Sequence, residues 1–597
     1  MSLQALDRLA LRCAERLRDG SPKCDYTINQ LPLVSTAQAT DLVPIYRNNQ
    51  TYAAPATAFI GPPGPPGSGI PFWFIITSYG AVGDGVTDST VAIQNTIAAA
   101  AASSPVGLVY MPAGTYVVSG SLYVPSNVVI MGAGIGLTTI KPTAGFAGTA
   151  GPNGTPNVFV GGTSLVGFYT KTAHGTSTRY TDFTLDCSSI TWMGSSIQGI
   201  SIANVDYAVV ERVRVIGPTG YAISLDGGAA YGAPLAQFQL FQQIRYCVFI
   251  NTGRGPGMGL GADGIGGGYT LGELVTGCEF NGSNGSGMDR VTPLDGTWSF
   301  NSYYNPTAQQ NAGFWTDFGA LRLKIIGNTF SGGGSIHING YLAGVGGDDA
   351  RPTAQNYCVI MGNTFLNGGS NAIQISTATP DSASTNVAIG HRVIGNVING
   401  CYDSAISLAG TQSTLVEGNY IQGWNFNNSG SNGIYILSGL NPALLTQDNA
   451  IRNNTFGAQH TGVVNCIADI TQQYNTIEGN NVEQGVTLSI FVTNPSPPSG
   501  PAPILRHNSG CSSYPVPGGA PGMPASGVTV KNTTSYDVVA LIALFGTGNN
   551  VIVNGLTFGG GISGGPTYLA VYLGVNDTIA ITYTSTPAWY WTPVNLR

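Results

Sequence analysis

Four aspartates are placed where chemistry could be built from them. Asp226 and Asp263 fall on a repeating strand pattern that also carries His337. Asp289 and Asp317 fall in an aromatic stretch, residues 286–318, together with Trp298, Tyr303, Tyr304 and Trp315. Paired carboxyls suit acid–base cleavage of a glycosidic bond. Separations of roughly 5–5.5 Å give retention and roughly 6.5–9.5 Å inversion, with one group held protonated by burial or like charge. Flat aromatic rings offer faces for the apolar sides of sugars. Asp226, Asp263, Asp289 and Asp317 are therefore the candidate catalytic acids, and His337, Trp298, Trp315, Tyr303 and Tyr304 the candidate substrate contacts. A plainer alternative stays open throughout: solvated aspartates beside glycine turns, and aromatics that pack the stretch onto its own scaffold.

Other chemistries are poorly supported. The nine cysteines show no C-x-x-C spacing, so buried thiols are expected rather than zinc ligation or a disulfide framework. No metal or other cofactor is expected. The chain carries 22 basic and 29 acidic residues, net −7, and no Lys/Arg run, which argues against nucleic-acid binding. No run of about 18 apolar residues exists, so membrane insertion is not expected. Asp7, Arg8 and Arg12 interrupt the apolar N-terminus, so the chain is expected to be made in a cytoplasm without a signal peptide.

The elements that must position these residues form an internal repeat. One register reads apolar-x-x-Asn-x-apolar: Ile325-Asn328-Phe330, Ile360-Asn363-Phe365, Val393-Asn396-Ile398, Val416-Asn419-Ile421, Ile451-Asn454-Phe456 and Ile477-Asn480-Val482, with Cys247 and Cys278 in the Asn position of earlier copies. A second register reads small-apolar-x-apolar, as in Gly199-Ile200-Ile202, Ala222-Ile223-Leu225, Ser335-Ile336-Ile338 and Ala405-Ile406-Leu408. A strand of four or five residues cannot bury its apolar side alone. Coiling the chain stacks each strand on its copy one turn later, about 4.8 Å away, and alternate residues become a continuous interior. Asn suits a tight bend, since it tolerates left-handed backbone angles and its amide can bond to copies above and below. With only 9% charged residues, few like charges would be stacked in line. The expected fold is all-β, a right-handed parallel β-helix. In the second register Ser201, Ser224, His337, Gln374, Ser407 and Tyr435 should face outward, with Gly266 and Gly268 flooring a shallow trough beside Asp226, Asp263 and His337. The longest gap between copies, Cys278 to Asn328, reads as an exposed loop.

Around this coil, residues 1–60 read as an anchoring segment: a helical stripe of Leu3, Leu6, Ala10, Cys13 and Leu17, then a small strand-rich module with a turn at Asn48-Asn49. Residues 61–70 form a thin neck with two collagen-type Gly-Pro-Pro triplets, a pattern in which glycine alone fits the axis shared by three chains; a plain Pro-rich linker is the alternative. The coil spans 71–510. Residues 526–597 alternate and end in Trp589-Tyr590-Trp591, as in a β-sandwich cap.

Three segments carry a family resemblance: Tyr79-Gly80-Ala81-Val82-Gly83-Asp84-Gly85 with Thr87-Asp88, then Tyr110-Met111-Pro112-Ala113-Gly114-Thr115-Tyr116, then Gly132-Ala133-Gly134. These resemble the opening of the pectate-lyase-like superfamily and of the bacteriophage tailspikes within it. The resemblance implies a virion protein on the phage tail, a homotrimer attached to a tail or baseplate protein through its N-terminus. Its partner would be bacterial surface polysaccharide, either depolymerised or merely bound; a cellular polysaccharide lyase or hydrolase is the further alternative. Asp348-Asp349 resembles the paired aspartates of polygalacturonases, but no Gly-His-Gly follows, so that mechanism is not carried over. Elimination with Arg or Lys as base stays open.

Overall fold

The computed structural model describes residues 42–47, 50–55 and most of 73–593. Left undescribed within the latter span are chiefly 149–155, 162–174, 191–195, 227–237, 254–262, 306–312, 341–355, 378–387, 427–429, 439–444, 459–464, 493–503, 511–521, 534–537, 546–548 and 559–566. The expected N-terminal helix and the neck lie outside the described residues.

In the first of two compact units, Leu42–Arg47 pairs antiparallel with Gln50–Pro55, while the expected turn at Asn48-Asn49 lies outside the described residues. The second unit is a right-handed parallel β-helix followed by antiparallel strands. Its first turns open at Trp73–Ile75, and the helix Thr90–Ala101 buries Ile93, Ile97 and Ala100. Asp88 starts that helix by accepting the Thr90 N–H at 2.9 Å.

Each turn of the coil has three strands. In a typical turn, Gln243–Arg245 is followed by a bend, then Val248–Ile250, and then Ile265–Gly266 in a separate 13-stranded sheet. Stacking keeps its register along the first strands of the turns from Val210 to Leu505, and shifts where Asp84–Asp88 meets Gly114–Val118 and where Asn465–Asp469 meets Ser489–Val492. Val210, Ile244, Val275, Trp298, Ile325, Ile360, Val393, Val416, Ile451, Ile477 and Leu505 form one interior column. Phe249, Phe280, Tyr303, Phe330 and Phe365 form another, in which Phe330 and Phe365 stack with ring centroids 4.8 Å apart.

Two expectations are corrected here. The gap between Cys278 and Asn328 is no exposed loop. It holds a complete extra turn, Thr297–Ser299, Ser302–Tyr304 and Phe314–Asp317, stacked between its neighbours. Trp298 and Tyr303 take the interior places that Val275 and Phe280 hold one turn earlier. Nor does the buried Asn supply the left-handed residue of the bend. That conformation belongs to the residue before it: Gly327, Gly362, Gly395, Gly418, Asn453 and Gly479 all have φ between 53° and 67°.

The Asn side chains instead form an interior ladder from Asn301 to Asn508. In each step the backbone N–H and the Nδ2 of one Asn donate to Oδ1 of the next, as from Asn328 to Asn363 at 2.9 Å for both, while Nδ2 also reaches a carbonyl of the preceding turn. Cys278 ends this ladder: its N–H donates to Asn301 Oδ1, and its thiol points at the Ile244 carbonyl. The described cysteines are all buried. Beyond the coil lie a four-stranded and a three-stranded antiparallel sheet, the latter joining Val538–Phe545 to Thr567–Leu573 and Ser585–Pro593. Trp589 there is buried.

Candidate functional site

The 13-stranded sheet carries Asp226, Asp289, Asp317, Trp315 and His337 on its strands.

The outward column of this sheet runs Val160, Ser201, Ser224, Gly266 on consecutive turns. Met288–Val291 continues it with Asp289, which pairs with Trp315; Trp315 pairs with His337, and His337 with Gln374, Ser407 and Tyr435 beyond. Asp289, Trp315 and His337 thus stand on three adjacent turns at one lateral position. The Trp315 and His337 rings lie 4.7 Å apart, tilted by 38°. His337 is 4% exposed, and neither ring nitrogen makes a hydrogen bond of ordinary geometry. Burial lowers its pKa to about 4, against the opposing pull of the Asn371 backbone, so the imidazole is neutral near pH 7.

The other candidates separate. Asp317 stands two residues beyond Trp315 on the same strand and pairs with Val291. It is therefore a diagonal neighbour of Asp289, roughly 7–8 Å away between backbone positions. Asp226 pairs with Ala203, on the strand three turns before that of Asp317, so about 14 Å from it along the coil at 4.8 Å per turn. That exceeds the spacing of a cooperating carboxyl pair. Asp263 is fully buried, and its Oδ1 accepts the Ser286 N–H at 2.5 Å. Its charge acts on Tyr303, whose hydroxyl pKa rises to about 12 mainly through burial.

Several expectations are overturned. Trp298 and Tyr303 are core residues, 0% and 1% exposed, and offer no face to a ligand. Tyr304 is exposed but lies on a different face, in the strand Ser302–Tyr304 that pairs with Thr329–Ser331. The outward positions Ser201 and Ser224 are fully buried, and the Tyr221 ring lies over Gly266, where a Cβ would sit 2.7 Å from it, so Gly266 does not floor an open trough.

Sequence reasoning missed a buried ion pair inside the coil. Arg290 Nη2 lies 2.8 Å from Glu273 Oε2, both fully buried. Glu273 also accepts from Thr270 Oγ1 at 2.6 Å and Trp298 Nε1 at 2.7 Å, and Arg290 Nη1 donates to the Gly266 carbonyl at 2.7 Å. Burial raises the Glu273 pKa, but the Arg290 charge and these donors outweigh it and the net shift is downward. The signal was strand alternation: if Asp289 faces out, Arg290 faces in. Among the described residues no cluster of three or more His, Cys, Asp or Glu is arranged to hold a metal, and no helix is long and apolar enough to cross a membrane.

The family described as rhamnogalacturonase A/epimerase, pectate lyase-like, matches residues 73–218. Mannuronan C5-epimerase AlgE3 of Azotobacter vinelandii is 36% identical over 165 residues, 25% of this chain and 8% of that protein. The pre-neck appendage protein of Bacillus phage B103 is 47% identical over 64 residues, 11% of this chain and 7% of that protein. The chain thus spans about a tenth or less of these relatives. The crystal structure of tailspike protein 3 of bacteriophage CBA120 superimposes with a TM-score of 0.42 at 11% identity, covering 88% of this chain and 72% of that one.

Proposed function

We propose that this parallel β-helix chain, pectate-lyase-like in its opening turns, is one subunit of a trimeric phage tailspike that binds bacterial surface polysaccharide and cleaves it hydrolytically. The reading rests on one observation: Asp289, Trp315 and His337 occupy one lateral position on three successive turns, with Asp317 diagonal to Asp289. Trp315 would give the sugar a ring face. Buried, neutral His337 would hold the Trp315 ring in place from behind without adding charge. Asp289 and Asp317 would divide the acid and base roles, and their diagonal placement suits the wider, inverting spacing. Similarity to a phage appendage protein, together with the anchoring segment and Gly-Pro-Pro neck in the sequence, supports placement on a virion, joined to a tail or baseplate protein by the N-terminus. Three subunits would multiply weak sugar sites into avidity.

Incubation of the purified protein with capsule, lipopolysaccharide and exopolysaccharide tests the proposal. New reducing ends without ultraviolet absorbance from an unsaturated product indicate hydrolysis. Absorbance appearing with them indicates elimination and overturns the hydrolytic mechanism. Binding without new ends indicates an adhesin, and no binding overturns the polysaccharide reading.

A further inference from the structure

One face of the coil carries exposed rings that neither its backbone nor its core requires. It is the sheet of first strands, where Arg179–Asp186, Val209–Ile216 and Gln243–Arg245 stack on consecutive turns. At the bend entering these strands, Tyr207 and Phe241 are each about half exposed, and their rings stack with centroids 5.7 Å apart. At the bend leaving Gln243–Arg245, Tyr246 is also about half exposed. All three have φ between 54° and 57°. For a bulky residue that conformation is an outlier, costing on the order of 1–3 kcal/mol. Glycine holds both positions one turn later, as Gly272 and Gly277. A Cβ on Gly272 would lie 2.6 Å from the Phe241 ring, and one on Gly277 2.6 Å from the Tyr246 ring, so these glycines seat the two rings. Half-exposed rings bury too little to explain their strain, and such outliers collect at ligand clamps.

Between the two bends lies a charged floor. Glu211 Oε2 accepts from Arg179 Nη2 at 2.5 Å and Arg245 Nη2 at 3.2 Å, and its Oε1 accepts from Arg212 Nη1 at 2.6 Å. Arg212 also forks onto Asp182, at 2.6 and 2.9 Å. Burial pushes the Glu211 pKa up, but the arginines outweigh it, and the Arg212 hydrogen bonds lower that of Asp182. Both carboxylates are therefore ionised near pH 7, and three guanidinium groups against two carboxylates leave one positive charge. Arg179 and Arg245 each spend a single nitrogen on Glu211 and stay partly exposed. Asp206, before the Tyr207 bend, accepts the Leu240 N–H.

The order of this surface selects its occupant. A protein partner meets an apolar centre inside a polar rim. Here the charges are central, and Phe241 and Tyr246 stand at opposite edges of one strand, about 16 Å apart at 3.3 Å per residue. A sugar chain matches that order, with apolar faces for the rings and oxygens for the floor. We propose that this face is a second, non-catalytic carbohydrate site for an acidic glycan, with sugar carboxylates held by Arg179 and Arg245 and sugar faces laid on Tyr207, Phe241 and Tyr246. It lies on a different sheet from Asp289, Trp315 and His337 and needs no cleavage there.

Isothermal titration calorimetry of the full chain tests it, with polyglucuronate and with the same polymer after reduction of its carboxyls to alcohols. Wild type should bind polyglucuronate, and the reduced polymer at least about tenfold more weakly. Arg245→Gln should cost about tenfold in affinity and Phe241→Ala about fivefold, both with an unchanged circular dichroism spectrum. Asp289→Asn should bind as wild type does. A wild type that does not bind, equal binding of the two polymers, or wild-type affinity in both ring and arginine variants would each overturn the proposal. Binding lost in Asp289→Asn but kept in the other two would put the polymer on the candidate catalytic face and overturn it as well. Hydrolysis is read separately, as reducing ends, so its absence would leave this site standing.

Discussion

Trp315 and His337 are register partners on adjacent turns, and their rings face one another at 4.7 Å with the imidazole almost wholly removed from water. Burial holds the folded-state pKa at about 4 against 6.5 for a free histidine. Between those values the unfolded chain takes up a proton that the folded one refuses. Stability from this group is full above pH 6.5 and declines as pH falls toward 4, by about 3 kcal/mol in total. Melting temperature measured against pH should fall through this window less steeply in His337→Gln than in wild type. Parallel curves would show that the imidazole is not buried.

The Glu273–Arg290 pair makes a second prediction. Glu273→Gln strips the partner carboxylate from a fully buried guanidinium, and breaking such a pair from one side costs about 3–5 kcal/mol. Replacing both, as Glu273→Leu with Arg290→Met, should cost less than Glu273→Gln alone. Denaturant unfolding of the three proteins decides this; a double variant worse than the single would mean that the pair contributes net stability to the coil.

The Asn ladder gives a third. Asn363→Ala removes the acceptor for two donors of Asn328 and leaves the Ile325 carbonyl without its side-chain donor. At about 1–3 kcal/mol for each unsatisfied buried group, the loss should be several kcal/mol. Cys278→Asn should be neutral or stabilising, because its Nδ2 would reach Asn301 Oδ1 and the Ile244 carbonyl and lengthen the ladder by one turn. Calorimetry that finds the two changes equally harmful would contradict the ladder.

Much of this coil was readable from the chain because each turn repeats one physical problem. Ile325, Ile360 and Val393 recur at fixed offsets from an Asn, and those offsets become columns. The turn at 297–304 escaped notice because Trp298 and Tyr303 replace the aliphatic residue and phenylalanine expected there, although Asn301 sits between them at the usual spacing. Reading those aromatics as ligand contacts followed from reading the stretch as loop. The bend was misassigned by one residue: both Asn and its preceding Gly suit a turn, and only backbone angles reveal which one turns. The lateral alignment of Asp289 with Trp315 and His337 was hidden for the same reason, since register between turns depends on insertion lengths that sequence spacing alone does not resolve.

Asp289 and Asp317 are proposed to act as a pair on polysaccharide. Release of reducing ends from a polysaccharide that the wild-type protein depolymerises, measured for Asp226→Asn, Asp289→Asn and Asp317→Asn side by side, tests it most directly. Asp289→Asn and Asp317→Asn should each lose at least about a hundredfold in rate with binding retained, and Asp226→Asn should keep a near wild-type rate. Full activity in either of the first two variants would contradict it.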